Sequence, residues 1–183
     1  VNDLQIYEEW ISYRYNYITD KQDKKVSLND EQLNVINTIL NNKEIANTYL
    51  LYGVTGAGKT EVYMNIIENV INDGKTAIML VPEISLTPQI VERFKRRFKK
   101  RIAILHSSLS DGEKYDEYRK ISRGEIDIVI GTHALLTDDV VFENLGLVIT
   151  DEQHRFGVAQ RGKLSSKSQN PHTLVMSATP IPR

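Results

Sequence analysis

The stretch that most constrains this chain is Gly53-Val54-Thr55-Gly56-Ala57-Gly58-Lys59-Thr60. It follows an apolar run ending at Tyr52 and opens an amphipathic run from Glu61 to Asn72. Strand, glycine-rich turn and helix in that order make a phosphate-binding P-loop. Gly53, Gly56 and Gly58 permit a tight turn in which the amides of 53–60, those of Val54, Thr55 and Ala57 included, point at phosphate oxygens. The helix that follows adds its positive dipole end. Lys59 is suited to the β and γ phosphates and Thr60 to a magnesium ion. The loop therefore implies ATP or a related triphosphate with Mg2+ and an α/β fold. It does not say what the energy of the nucleotide is used for.

The rest of the chain supports that fold. Apolar strands are expected at 49–52, 76–81, 101–106, 126–131, 145–150 and 173–177. Helices are expected from Asn29, at 60–73, 88–100 and 110–122. Gly74 and Gly124 stand where helices should stop. Asn29 with Gln32, and Ser110 with Glu113, have capping-box spacing, and Thr87-Pro88 reads as an N-cap followed by proline in the first turn. Leu33, Ile36 and Leu40, with Val35 and Ile39, form one apolar face at helical period. Strands alternating with helices predict a parallel sheet covered on both faces.

Composition narrows the function classes. The 183 residues suit one domain, and a formal net charge of −1 leaves nucleic-acid affinity to local patches. The absence of cysteine excludes disulfides, thiolate metal sites and cysteine nucleophiles, and suits a reducing compartment. No apolar run approaches a membrane span, and no leader pattern opens the chain. Residues 1–26 hold Tyr7, Trp10, Tyr13, Tyr15 and Tyr17 ahead of Lys21, Lys24 and Lys25. They read as an aromatic, charged extension or linker, with 27–183 as the nucleotide-binding domain. The end at Pro180-Ile181-Pro182-Arg183, with no closing element, suggests a fragment.

A second constellation is Asp151-Glu152-Gln153-His154, after the strand at 145–150. In a parallel sheet ligands gather at the carboxyl ends of the strands. Asp151 is a candidate to hold magnesium, directly or through water, and Glu152 to orient and deprotonate an attacking water. A water-activating carboxylate argues against a P-loop kinase.

Asp-Glu-x-His after a strand, with a P-loop upstream and Ser177-Ala178-Thr179 downstream, resembles the first RecA-like motor domain of superfamily 2 DNA helicases, over roughly 28–183. The resemblance implies that Gln32 reads adenine, that Ser177 and Thr179 couple hydrolysis to the grip on DNA, and that Gln153 and His154 link them to the nucleotide. It places strand contacts at Pro82 to Gln89 and Thr132 to Leu135, with Pro82, Thr87, Thr132 and His133 as the candidates. Such contacts would hold phosphates without reading sequence.

The likeness divides. Val54 to Tyr63, Leu80-Val81-Pro82-Glu83-Ile84-Ser85-Leu86-Thr87-Pro88-Gln89 and Leu105-His106-Ser107 resemble the PriA replication-restart helicases. Gly124 to Leu136, Asp151 to Val158 with Gln160-Arg161, and Ser177 to Arg183 resemble the RecG branch-migration helicases. PriA-like chains carry Asp-Glu-Glu-His and a Gly-Ser-Ala-Thr-Pro-Ser ending. RecG-like chains carry Pro-Thr where Pro82-Glu83 stands. A divergent RecG relative and a mosaic joined near Gly124 both remain open.

The function this implies is an ATP-dependent helicase or translocase on branched or single-stranded DNA, in stalled-fork rescue, recombination or replication restart. It would act in the bacterial cytoplasm at the nucleoid, with no membrane involvement. Its partners would be a second RecA-like domain and, by the same likeness, single-stranded-DNA-binding protein or primosome proteins. The second domain supplies an arginine finger in this family, so the chain alone is expected to be nearly inactive. The alternative is a nucleotide-gated DNA-binding or adaptor module without turnover. The basic run from Arg93 to Arg101 reads equally as a solvated helix face or a phosphate track.

Overall fold

The computed structural model describes residues 27–42, 47–52, 57–98, 100–132, 140–151, 164–166 and 171–177. The aromatic extension at 1–26 lies outside them. Helix α1 (Asp30–Asn41) precedes β1 (Thr48–Tyr52) and α2 (Ala57–Asn72). There follow β2 (Thr76–Leu80), a 3-10 turn (Glu83–Ser85), α3 (Pro88–Arg97), β3 (Ile102–Leu105), α4 (Asp111–Ser122) and β4 (Ile128–Gly131). Strands β5 (Val140–Phe142), β6 (Leu145–Asp151), β7 (Leu164–Ser166) and β8 (His172–Ser177) complete the order.

Local chemistry explains where the helices start and stop. Asn29 Oδ1 accepts from the Gln32 amide at 2.8 Å while Gln32 Oε1 accepts from the Asn29 amide at 2.9 Å, a reciprocal box that satisfies two helix-end donors. Ser110 and Glu113 repeat it on α4, where the Glu113 carboxylate takes the Ser110 amide at 2.8 Å. Those bonds hold the Glu113 carboxyl below its ordinary range. Gly74 and Gly124 follow α2 and α4 with φ of 78° and 70°, left-handed backbone that side chains disfavour. Helix α3 ends at Arg97, short of the expected 100. Phe98 leaves helical geometry (φ −116°, ψ 109°) and is buried, turning the chain toward β3.

Six strands form one sheet in the order β1-β8-β6-β2-β4-β3, every pair parallel. Successive strand residues serve opposite faces. Ala77, Met79, Ile128, Ile130, Leu147 and Ile149 join a core with Ile36, Ile66, Ile67 and Phe94, so α1, α2 and α3 cover one side. Ile78, Leu80, Val129 and Val148 join Ile121, Val140 and Phe142, so α4 and β5 cover the other. The sheet is thus buried on both faces, as expected. In α1, Ile36 and Ile39 are buried while Leu33, one turn nearer the N-terminus, stays exposed at the rim.

One irregularity sets the phase of β6. Thr76 pairs with Leu145 but Ala77 pairs with Leu147, so Gly146 is an extra residue, a β-bulge. A Cβ there would meet Lys75 Cβ at 2.8 Å and Val70 Cγ1 at 2.9 Å, so only glycine fits. The short parallel pair β5–β7 stands apart from the main sheet. No helix among the described residues is long and apolar enough to cross a membrane.

Candidate nucleotide site and nucleic-acid interface

Because all strands of the sheet are parallel, their carboxyl ends share one edge. Tyr52, where the glycine loop leaves β1, pairs with Ser177 of β8, and Leu51, Met176 and Asp151 stand in one row across β1, β8 and β6. Two strand spacings, about 9–10 Å, separate the backbone of Leu51 from that of Asp151. The loop strand, the Ser177 strand and the Asp151 strand thus end together. Gly53, Val54, Thr55 and Gly56, like Glu152, Gln153, His154 and Thr179, lie outside the described residues.

Ala57, Gly58, Lys59 and Thr60 form the first turn of α2, with Lys59 and Thr60 half-buried. Gln32 reaches this turn. Its Nε2 donates to the Gly58 carbonyl at 3.1 Å while its Oε1 holds the α1 cap. A Cβ on Gly58 would lie 3.3 Å from Nε2, so glycine permits the approach. Both ends of the Gln32 amide are therefore engaged within the protein. The Thr60 side chain is hydrogen-bonded to Tyr63, whose phenol burial pushes above its ordinary pKa; the Thr60 bond and Arg93 oppose that, and Glu61 adds to it.

The other half of the edge lies over β2, β4 and β3. The Val81 amide donates to Gly131 O at 2.9 Å and the Thr132 amide to Leu105 O at 3.1 Å, which sets the ends of the three strands side by side. Pro82 opens the 3-10 turn. Thr87 caps α3, its hydroxyl accepting the Ile90 amide at 3.4 Å. Thr132 is 1% exposed, and its hydroxyl has no partner among the described residues. His133 lies outside them. Glu83 and Ile84, within the Pro82 to Gln89 stretch but not among its four named candidates, lie at this edge. Glu83 Oε1 accepts the Ser107 amide at 3.3 Å, joining the β2 loop to the turn after β3. Ile84 projects from the 3-10 turn 89% exposed. Its place inside the Pro82 to Gln89 stretch is the signal that could have drawn attention to it.

The basic run has other commitments. Arg96 pairs with Glu92 at 2.6 Å, Arg97 with Glu61 at 3.3 Å and Arg101 with Asp127 at 3.3 Å. These partners leave less charge for a phosphate track than the sequence suggests. His172 starts β8 at the far edge of the sheet. Its Nδ1 accepts the Asn47 amide at 3.1 Å, its ring meets Tyr49 edge-on, and burial pulls its pKa below 6.5.

The family model for DEAD/DEAH box helicases matches residues 29–183. The chain belongs to that family. The chain has a RecA-like fold, a parallel sheet with helices on both faces. Among curated relatives, the replication restart protein PriA of Bacillus subtilis is 47% identical over 84% of the chain. The ATP-dependent DNA helicase RecG of the same organism is 44% identical over 73%. Their matches cover 157 and 137 residues, each longer than the 124 residues up to Gly124, so both likenesses run across that point. Among solved structures, RecG bound to a three-way DNA junction superposes with a TM-score of 0.72 at 35% identity, over 98% of the chain and 23% of that protein. A Sulfolobus solfataricus SWI2/SNF2 ATPase core with double-stranded DNA gives 0.58 at 17% identity over 90% of the chain and 34% of that protein, a likeness of fold. The chain spans about a fifth of the length of the PriA and RecG relatives, 19% and 20%.

Proposed function

We propose that this chain is the nucleotide-binding motor domain of an ATP-dependent DNA helicase or translocase that works on branched DNA, in fork rescue, recombination or replication restart. The observation that carries the reading is the row across β1, β8 and β6. It brings the start of the glycine loop beside Ser177 and within two strands of Asp151 at the ligand-binding edge of the sheet.

The residues fit MgATP. The next helix after β1 begins at Ala57 with Gly58, Lys59 and Thr60 in its first turn, and the candidate metal ligands are a hydroxyl and a carboxylate, oxygen donors suited to Mg2+. The backbone of 53–60 holds the phosphates, and the Lys59 ammonium neutralises charge that develops on the γ-phosphoryl oxygens. Thr60 and Asp151 hold the ion, which when bound supplies further charge neutralisation. Glu152 aligns a water in line with the leaving oxygen and takes its proton. Gln32 reads adenine, for which its Nε2 would release the Gly58 carbonyl. Gln153 and His154 carry the nucleotide state to Ser177 and Thr179. Pro82, Thr87, Thr132 and His133 hold one strand by its phosphates. A second RecA-like domain brings an arginine finger, an element worth about 10³–10⁵ in turnover in related systems. The chain by itself therefore turns over slowly. Bacterial cytoplasm is the setting, and single-stranded-DNA-binding protein or primosome proteins are the partners implied.

Forked-DNA-stimulated ATP hydrolysis by the longer polypeptide that also supplies the second domain tests this, wild type against Lys59→Ala. Stimulated hydrolysis that vanishes in the variant is expected. Hydrolysis unchanged by the substitution overturns the motor reading.

A further inference from the structure

Glu61 directly follows Thr60 in α2, and its carboxylate is turned away from solvent. Across the gap to α3, Arg97 meets it. One guanidinium nitrogen lies 3.3 Å from one carboxylate oxygen and donates to the other at 3.4 Å, with the side chains 8% and 12% exposed. The same guanidinium reaches Glu68, two turns further along α2, at 4.0 Å. Asn65 closes the arrangement, giving its Nδ2 hydrogens to the Glu61 carbonyl at 2.7 Å and to its carboxylate at 3.4 Å. Beside this ion pair the Tyr63 ring stacks on Phe94, centroids 6.5 Å apart and planes 19° from parallel. A buried ion pair of this kind is poor value for stability, because desolvation consumes most of its attraction. Its place on the first turns of the glycine-loop helix suggests another use.

We propose that Arg97 is a positioning residue of the nucleotide site. It neutralises Glu61 and clamps the start of α2 to α3, so that the triphosphate meets the cations of the loop and no uncompensated carboxylate behind them. This rests on 53–60 being the triphosphate loop. With Arg97 removed, Glu61 keeps its charge at roughly 6 Å of helix rise from the first residue of α2. An unpaired unit charge on the order of 10 Å from the phosphates, in a medium between protein surface and water, changes affinity for a doubly charged complex by about tenfold. A singly charged complex suffers about threefold by the same reasoning. Loss that grows with ligand charge is the mark of an electrostatic role. Loss of packing alone weakens both ligands equally.

The experiment is titration of the folded chain with fluorescent analogues of MgATP and MgADP, folding being checked by thermal melts. Arg97→Met is expected to weaken MgATP about tenfold and MgADP about threefold. Glu61→Gln placed on Arg97→Met removes the stranded charge and is expected to recover affinity to within about twofold of wild type. Arg97→Lys, which keeps the charge and loses the fork, guards against a misfolded methionine variant and should retain the wild-type preference between the two nucleotides. Wild-type affinity in Arg97→Met overturns the proposal. So does a double variant as weak as the single one, or a lysine variant whose preference has collapsed. Lys59→Ala separates the two levels of inference: if it binds MgATP like wild type, the triphosphate-loop reading itself has failed.

Discussion

The two halves of the sheet's ligand edge are built differently. Over β1, β8 and β6 the candidate site uses backbone: a helix start and strand ends in register. Over β2, β4 and β3 it uses side chains that already hold structural posts. Thr87 caps a helix, Thr132 is buried, and Glu83 binds a neighbouring loop. A backbone site is specified by residue types that permit a conformation, and such residues announce themselves in a sequence. A side-chain site depends on which groups remain available after folding, which only the packing decides.

The contrast can be tested at the joint between the halves. Phe94 is fully buried in α3 and stacks on Tyr63 of α2. Phe94→Ala should cost about 3–5 kcal/mol, read as a loss of thermal or urea stability. A cost under 1 kcal/mol would mean that the halves are not packed through this ring. On the nucleotide side, Lys59→Ala should lower affinity for MgATP by at least about a hundredfold, about 2.7 kcal/mol, while leaving strand binding intact. Equal losses of both would erase the distinction. Gln32→Ala removes the tie to Gly58 and one half of the α1 capping box, and should cost about 1–2 kcal/mol of stability.

On the strand side, Thr132→Val replaces a buried hydroxyl that has no partner among the described residues with a methyl of the same shape. Stability should stay level or rise by up to about 1 kcal/mol, since no bond to a described residue is lost. If Thr132 serves the DNA strand, affinity for single-stranded DNA falls at the same time. A destabilised variant would show that the hydroxyl has a partner after all. The smallest effect concerns His172, at the edge far from both sites. Its folded pKa lies below 6.5, so the unfolded chain takes the proton first as pH falls. Its contribution is complete above about pH 6.5 and declines as pH drops toward the lowered folded value. Melting temperature should therefore fall less steeply with acidification in His172→Gln than in wild type. Parallel curves would contradict the assignment.

Much of this architecture was legible beforehand, and the exceptions have physical causes. The six main strands, the four helices and the caps of α1, α3 and α4 follow from period and punctuation, which act locally. Strands β5 and β7 did not, because three residues carry too little alternation, although Val140 and Phe142 do face the core with Val141 outward. The early end of α3 was missed because burial of Phe98 overrode a run of good helix formers. The capping box of Gln32 was visible in its spacing. Its reach to Gly58, 26 residues away, was not. The pairing of Arg97 with Glu61 was equally hidden, since charges 36 residues apart look like two solvated faces until the helices are laid together. Thr132 shows the reverse limit: a motif names the residue and says nothing of its accessibility.

Gly146 carries a consequence for how this domain can vary. By inserting one residue into β6 it sets which side of the sheet every later position of that strand serves: Val148 one core, Ile149 the other, and Asp151 at the end. Pairing Gly146 regularly opposite Ala77, with no bulge, would slip every later residue by one position, exchange the two sides and send each aliphatic into the wrong layer. Gly146 therefore acts as the timing mark of the strand, and the close approach of Lys75 and Val70 keeps that position a glycine.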